Sequence, residues 1–369
     1  MQPTFSYLND VYFGAGTIQQ LPEVLAQYGL RKPLFVTDSG LISAGIASRA
    51  IPEGASVFRD VETNPSERSA SQALEQYRQD GCDGVVAVGG GSPIDLAKVV
   101  ALMCEHDGPL VQYALAEGGP RSIGHTVPPV IAVPTTAGSG SEVGKAALVT
   151  VEDGRKLGFL SPKLLPVAAV CDPELTATMP PGLTAATGMD AISHCVEAIF
   201  SSRQNPVAEA AATEGLRRGT RAILSAFADG TDISARAEMM WCSLFGGLSF
   251  QKGLGAVHSL SHPLGRFENL RLHHGTLNGL FLPAVIRYNA DANSVAKQKV
   301  AAVLGGLDPA KYFEDLLTRL SLPQSLSDLC VTEEELVSSA PLAAADHCTA
   351  TNPRSLTESD ALDLYRSCL

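Results

Sequence analysis

The stretch GMDAISHCVEA (Gly188–Ala198) sets Asp190 and His194 four residues apart. On a helix that spacing puts a carboxylate and an imidazole on one face, one turn from each other. Further along, GAVHSLSHPLGRFENLRLHHG (Gly255–Gly275) holds His258, His262, His273 and His274, half of the chain's eight histidines. His258 and His262 repeat the one-turn spacing. A carboxylate with several imidazoles is a donor set for Fe2+ or Zn2+, and a poor one for the oxygen-seeking Ca2+ and Mg2+. Taken singly, each pair is an ordinary surface hydrogen bond. Their concentration is what points to a metal site, with a catalytic relay as the alternative.

A second chemistry sits upstream. VVAVGGGSPIDLAKVV carries Gly89, Gly90, Gly91 and Ser92 between an apolar run and a helical segment. Bare glycine backbone beside exposed helix N–H groups forms an anion cradle suited to a pyrophosphate. Ser92 is expected at the N-cap, Pro93 at the first helical position and Asp95 in the first turn. A tight turn alone needs only one or two glycines. No GxGxxG is present. A further loop of small residues, PTTAGSGSEV (Pro134–Val143), follows the next apolar run. Two such loops after two strands of one parallel sheet share the edge where nucleotides bind. Asp38, ending PLFVTD, is placed to accept from a ribose diol and to repel a 2′-phosphate.

The elements that must position these residues fall into two halves. PLFVTD (33–38), ASVFRDV (55–61), GVVAVGGG (84–91) and PPVIAVPTT (128–136) read as strands, bounded by Gly, Pro or Asp. Helical segments over 67–80 and 94–105 alternate with them, which predicts a parallel sheet covered by helices, a Rossmann-like α/β domain. The Pro180–Pro181 pair marks a boundary. Beyond it, Ala- and Leu-rich stretches such as 206–228 predict an all-α domain. The expected domains are 1–179 for the nucleotide and 180–369 for the metal.

Composition narrows the class. The chain has 369 residues, 45% hydrophobic and 18% charged, a globular balance suited to two domains. A net charge of −12 without a basic cluster argues against a nucleic-acid partner. The start MQPTFSYLND has neither a basic n-region nor an apolar h-region, no span suits a bilayer, and the eight cysteines form no CxxC pair. These features predict a cytoplasmic protein with reduced thiols and no membrane partner.

GGGSPID, PTTAGSGSEV, GMDAISH and HSLSHPLG…HHG, in this order, resemble the iron-containing (group III) alcohol dehydrogenase family, across nearly the whole chain. The resemblance implies a fold like that of dehydroquinate synthase and a divalent metal, Fe2+ or Zn2+, held by Asp190, His194, His258 and His274. His273 rivals His274, since this chain has a His–His pair there and a slightly longer interval before it. It implies NAD(P) on Gly89, Gly90, Gly91, Ser92, Asp95, Thr135 and Thr136, with Asn64 of TNP and Lys156 of RKLGF as further cofactor positions. Asp38 favours NAD. His262, one turn beyond a ligand, becomes a candidate proton relay. The expected reaction is hydride transfer between NAD(H) and a small primary alcohol or aldehyde, by a homodimer or higher homo-oligomer.

Two relatives of that fold stand as alternatives. Sugar-phosphate cyclase lyases need a basic phosphate pocket that the second half does not offer, and maleylacetate reductases typically lack the carboxylate that Asp190 supplies. The HHG region and the RKPLFVTDSGLISAGI opening look like the 4-hydroxybutyrate dehydrogenase branch. Arg266 or Arg271 would then grip the far carboxylate of an ω-hydroxy acid. The competing expectation is that both arginines face solvent or pair with Glu268.

Overall fold

The structure, a computed structural model, describes residues 9–369, the side chain of Glu268 excepted. Two compact units result. One comprises residues 9–136 with Gly140–Ala177, the other Thr178–Leu369 with Ala137–Ser139. The break thus falls before Thr178, and three residues of the second small-residue loop group with the helical unit.

The first unit contains β1 (Asp10–Phe13), β2 (Leu34–Val36), β3 (Ser56–Phe58), β4 (Val85–Gly89), β5 (Val130–Pro134), β6 (Ala146–Thr150), β7 (Lys156–Leu160) and β8 (Ala168–Cys171). Its helices are α1 (Leu21–Gln27), α2 (Ser39–Ser43), α3 (Glu67–Asp80) and α4 (Gly91–Glu105). Six strands form an all-parallel sheet in the order β1-β8-β5-β4-β2-β3. All carboxyl ends therefore lie along one edge. β4 is buried at every position. Val85 and Ala87 join the core built with α3 and α4, while Val86 and Val88 join the one built with α1. A continuous apolar run is what a strand covered on both faces requires.

β6 and β7 form a separate antiparallel hairpin. No strand was expected there. Its sequence signals were the apolar run AALVTV and an Asp153–Gly154 turn; β6 is alternately buried, and Gly154 has φ 85°.

The start of α4 differs from expectation. Gly90, in extended conformation, is the cap, and helix begins at Gly91. Ser92 and Pro93 are therefore already helical. A proline is tolerated at the third position because the first four N–H groups have no intrahelical acceptor. Asp95 lies past the first turn. Its Oδ1 accepts from Ser141 Oγ at 2.6 Å and its Oδ2 from Leu148 N at 3.0 Å, so it braces the second loop.

Beside it, Lys98 is fully buried. Its Nζ donates to Ser141 O (2.8 Å), Ser141 Oγ (2.7 Å), Gly144 O (3.0 Å) and Ala146 O (2.7 Å). Burial lowers its pKa to about 8, against the opposing pull of Asp95 and Glu142.

The helical unit runs α5 (Pro181–Phe200), α6 (Pro206–Ala228), α7 (Ile233–Ser249), α8 (Ala256–Leu264), α9 (His274–Asn289), α10 (Ser294–Val303), α11 (Pro309–Arg319), α12 (Glu333–Ala345) and α13 (Glu358–Ser367). α5 opens with Pro181 at its first position and is buried from Thr184 to Phe200. A helix apolar all round belongs at a domain centre, and α6, α7 and α9 pack on it. No described helix is long and apolar enough to cross a membrane. All eight cysteines are free thiols.

Replacing Lys98 by Met removes the ammonium donor from the Ser141, Gly144 and Ala146 carbonyls, of which Ser141 O keeps the Gly144 N–H, and takes the neighbouring cation from Asp95. The expected loss is about 3–5 kcal/mol, which lowers that unit's thermal midpoint by roughly 10 °C. A shift below about 2 °C in differential scanning calorimetry contradicts the bracing role.

Candidate functional site

In the helical unit, Asp190 Oδ1 is the centre of a cluster. His194 Nε2 lies 3.6 Å from it, His258 Nε2 3.8 Å and His274 Nε2 3.7 Å. Asp190 and His194 come from one face of α5, His258 from α8 and His274 from the first turn of α9. Gly275 explains the close approach of α9. A Cβ there would stand 2.2 Å from Ala186 O and 3.1 Å from Asp190 Cβ. Only glycine lets the start of α9 lie against α5 so closely. Of the two adjacent histidines, His274 turns its Nε2 to Asp190, while His273 caps α9 and its Nδ1 is buried without a hydrogen bond.

Two neighbours belong to the cluster that sequence reasoning passed over. Glu197 is buried, accepting from His258 Nδ1 at 2.5 Å and from Val257 N at 2.6 Å. With the proton held on Nδ1, His258 presents the lone pair of Nε2 inward. Burial opposes charge on His258, but Glu197, then Asp190 and Asp346, more than offset this and raise its pKa. His194 is lowered to about 4, because burial outweighs Asp190. Asn278 is the second neighbour. Its Nδ2 lies 2.7 Å from Asp190 Oδ1, 3.1 Å from His258 Nε2 and 3.0 Å from His274 Nε2. An amide has two protons, so three converging acceptors exceed its capacity. Its Oδ1 is buried without a hydrogen bond. Acceptors crowding one point are what a cation satisfies, and one carboxylate oxygen with three imidazole nitrogens fits Fe2+ or Zn2+. Glu197 sits three residues past His194 and Asn278 four past His274, so helical spacing from the ligands would have found both.

His262 stands apart from the four. Its Nδ1 pairs with Asp346 Oδ2 at 2.9 Å, and its ring stacks on His274 with centroids 5.4 Å apart. Asp346 lies 84 residues away in sequence, with no local signal to reveal it.

In the other unit, the carboxyl ends of β5, β4 and β2 gather the expected cofactor residues. Gly89 pairs with Pro134, and Thr135 N donates to Gly89 O at 3.0 Å. A Cβ on Gly90 would meet Thr136 Oγ1 at 3.1 Å, so the two small-residue loops touch. Ser92 Oγ donates to Thr63 O, and Lys156 Nζ donates to Asn64 Oδ1 at 2.9 Å. The chain steps from β2 outward to β3 on one side and, after crossing back, from β4 to β5 on the other, so the edge between β2 and β4 is the switch point where α/β sheets take nucleotides. Thr37 Oγ1 and Thr135 Oγ1, at the ends of β2 and β5, are buried without partners. Such orphaned hydroxyls suit a polar ligand on this edge. Asp38 also caps α2, its Oδ1 accepting from Leu41 N at 2.9 Å.

The two arginines are exposed. Arg266 donates to Ser338 Oγ at 2.7 Å and lies over the Phe267 ring. Arg271 has φ 49°, unusual for a residue with a side chain. The pairing with Glu268 concerns a side chain outside the described residues.

Residues 9–173 match the family profile described as iron-containing alcohol dehydrogenase, and residues 184–369 its C-terminal counterpart. The 4-hydroxybutyrate dehydrogenase of Cupriavidus necator is 47% identical over 96% of both chains. The crystal structure of a 1,3-propanediol oxidoreductase superposes with a TM-score of 0.93, at 35% identity and full coverage of both. Sulfoacetaldehyde reductase from Bifidobacterium kashiwanohense, solved with NAD+, gives 0.89 at 29% identity, covering 100% of this chain and 99% of that one.

Glu197→Gln should leave the fold intact yet weaken metal binding about 10- to 100-fold, because His258 loses the group that fixes its tautomer. Chelator competition measures this. Unchanged affinity contradicts the orienting role.

Proposed function

We propose, on the premise that this chain belongs to the iron-containing alcohol dehydrogenase family, that it interconverts a short ω-hydroxy acid and its semialdehyde with NAD(H). The substrate pair in the first instance is 4-hydroxybutyrate and succinic semialdehyde. The observation that carries the reading is the meeting of three imidazole nitrogens at Asp190 Oδ1. A divalent cation held by Asp190, His194, His258 and His274 supplies Lewis acidity toward the alcohol oxygen, and NAD supplies the hydride acceptor.

The protein's own groups do the rest. Glu197 holds the proton on His258 Nδ1 and so keeps Nε2 available. His262, with Nδ1 engaged by Asp346, exchanges the substrate hydroxyl proton through Nε2. On the sheet edge, Gly89, Gly90, Gly91 and Ser92 cradle the pyrophosphate, and Thr135, Thr136, Asn64 and Lys156 hold the cofactor further along. Asp95 acts through the loop it braces.

An anionic substrate is supported by two similar proteins, whose names give 4-hydroxybutyrate and sulfoacetaldehyde, each with an anionic group at its far end. Arg271 is the preferred grip, since Arg266 is engaged by Ser338. The wild type should reduce succinic semialdehyde with higher kcat/KM than butyraldehyde. Arg271→Ala should cut that ratio about 10- to 100-fold, the worth of one charge-assisted hydrogen bond. Equal use of both aldehydes, with a ratio that neither Arg271→Ala nor Arg266→Ala moves, rejects the anionic substrate.

NADH should be preferred over NADPH, because the Asp38 carboxylate repels a 2′-phosphate. Asp38→Asn keeps an oxygen to cap α2 while removing the charge, and should raise relative use of NADPH roughly tenfold. A wild type using both cofactors equally well removes Asp38 from this role.

A further inference from the structure

His262, Asp346, His347 and Cys348 each place one donor atom within 4.8 Å of all the others. None of these residues is among the four gathered at Asp190. Asp346 is the hub. Its Oδ2 meets His262 Nδ1 at 2.9 Å and His347 Nδ1 at 3.6 Å, and His347 Nε2 lies 3.5 Å from Cys348 Sγ. Its Oδ1 accepts from Cys348 N at 2.8 Å and Ser259 Oγ at 3.3 Å. One oxygen thus anchors the carboxylate while the other faces the imidazoles. The same cap shapes the 3₁₀ turn His347–Thr351 that presents His347 and Cys348.

We propose that these four residues form a second cation site, which takes a thiophilic divalent ion such as Zn2+. Two imidazoles, a carboxylate and a thiol are a four-coordinate zinc set, and the thiol disfavours Ca2+ and Mg2+. Donor atoms around tetrahedral zinc stand about 3.3–3.8 Å apart, so the cluster must tighten by only about an ångström. The His347 side chain is 50% exposed, against 14% and 12% for His262 and Asp346. It supplies both that adjustment and an entry path.

Asp346 is held in its ligand form, whereas Cys348 must lose its proton on binding. Burial opposes ionisation of Asp346, but His262, His347 and the Cys348 amide hold its pKa well below the carboxylate range. Burial raises Cys348, so ion binding releases the thiol proton to solvent.

The location gives the site a consequence. The His262 ring stacks on His274 at 9° between planes and meets His258 edge-on at 5.8 Å. An ion ligated by His262 withdraws it from proton exchange, so Zn2+ at this site slows turnover. That inhibition rests on the role given to His262 above, whereas binding does not.

Cobalt(II) titration of chelator-treated full-length protein tests the binding. A thiolate ligand gives a sulfur-to-cobalt charge-transfer band in the near ultraviolet. The second equivalent of cobalt should bring up this band. Cys348→Ser should abolish it while retaining the first cobalt. His347→Ala should weaken the second binding about tenfold or more, and Cys330→Ser, which alters an exposed thiol elsewhere, should leave the band unchanged. Added Zn2+ should displace the band and slow wild-type turnover, with Cys348→Ser resistant. If no band appears, or if it survives in Cys348→Ser, the site does not exist. If the band appears and zinc leaves turnover untouched, the site stands and the role of His262 falls.

Discussion

The contact between the start of α9 and the middle of α5 is the constraint on which the candidate metal centre depends. Gly275 has no Cβ, and one would collide with Ala186 O at 2.2 Å. Only this approach brings His274 from the first turn of α9 to Asp190 on α5. Once there, the three imidazole nitrogens and one carboxylate oxygen need a positive partner. Burial pushes His194 down to about 4, while Glu197 raises His258 against the same burial. Neighbouring imidazoles are thus prepared differently, one neutral by desolvation and one oriented by a carboxylate.

The α/β unit meets a different demand. The pyrophosphate cradle proposed for the glycine loop needs bare backbone, and bare backbone gives a loop little packing of its own. Stiffness comes from beneath the loops. Lys98 gathers three carbonyls and a hydroxyl from 141–146, and Asp95 binds Ser141 and Leu148. A fully buried ammonium is tolerated because it meets more acceptors than it has protons. The hydroxyls of Thr37 and Thr135 remain buried and without partners at the strand ends.

Much of this was legible from spacing. The strands of the parallel sheet that announce themselves are β-branched runs closed by Gly or Pro, and α3 and α6 occupy the ranges expected for them. Helix starts were harder to read. Ser92 looked like a cap, yet Gly90 takes that place, because consecutive glycines allow the helix to begin earlier than a side-chain cap would dictate. The β6–β7 hairpin carried its turn signal in Asp153–Gly154 and an apolar run in AALVTV, but its strands are only partly buried and pair with each other outside the parallel sheet that the strand–helix alternation predicts.

By itself the sequence determined the donor types, their one-turn pairings and the two-part organisation of the chain. Helical periodicity and strand composition are local, and local pattern is enough for those. Only the tertiary structure decided which histidine of the His273–His274 pair faces Asp190. The choice turns on the direction in which α9 leaves its cap and on how closely Gly275 lets it approach α5. The tertiary structure also supplied Asp346, which meets His262 across 84 residues of chain through the packing of α8 against the His347–Thr351 turn. No periodicity encodes such a meeting, because it is set by how helices pack and not by how any one of them repeats.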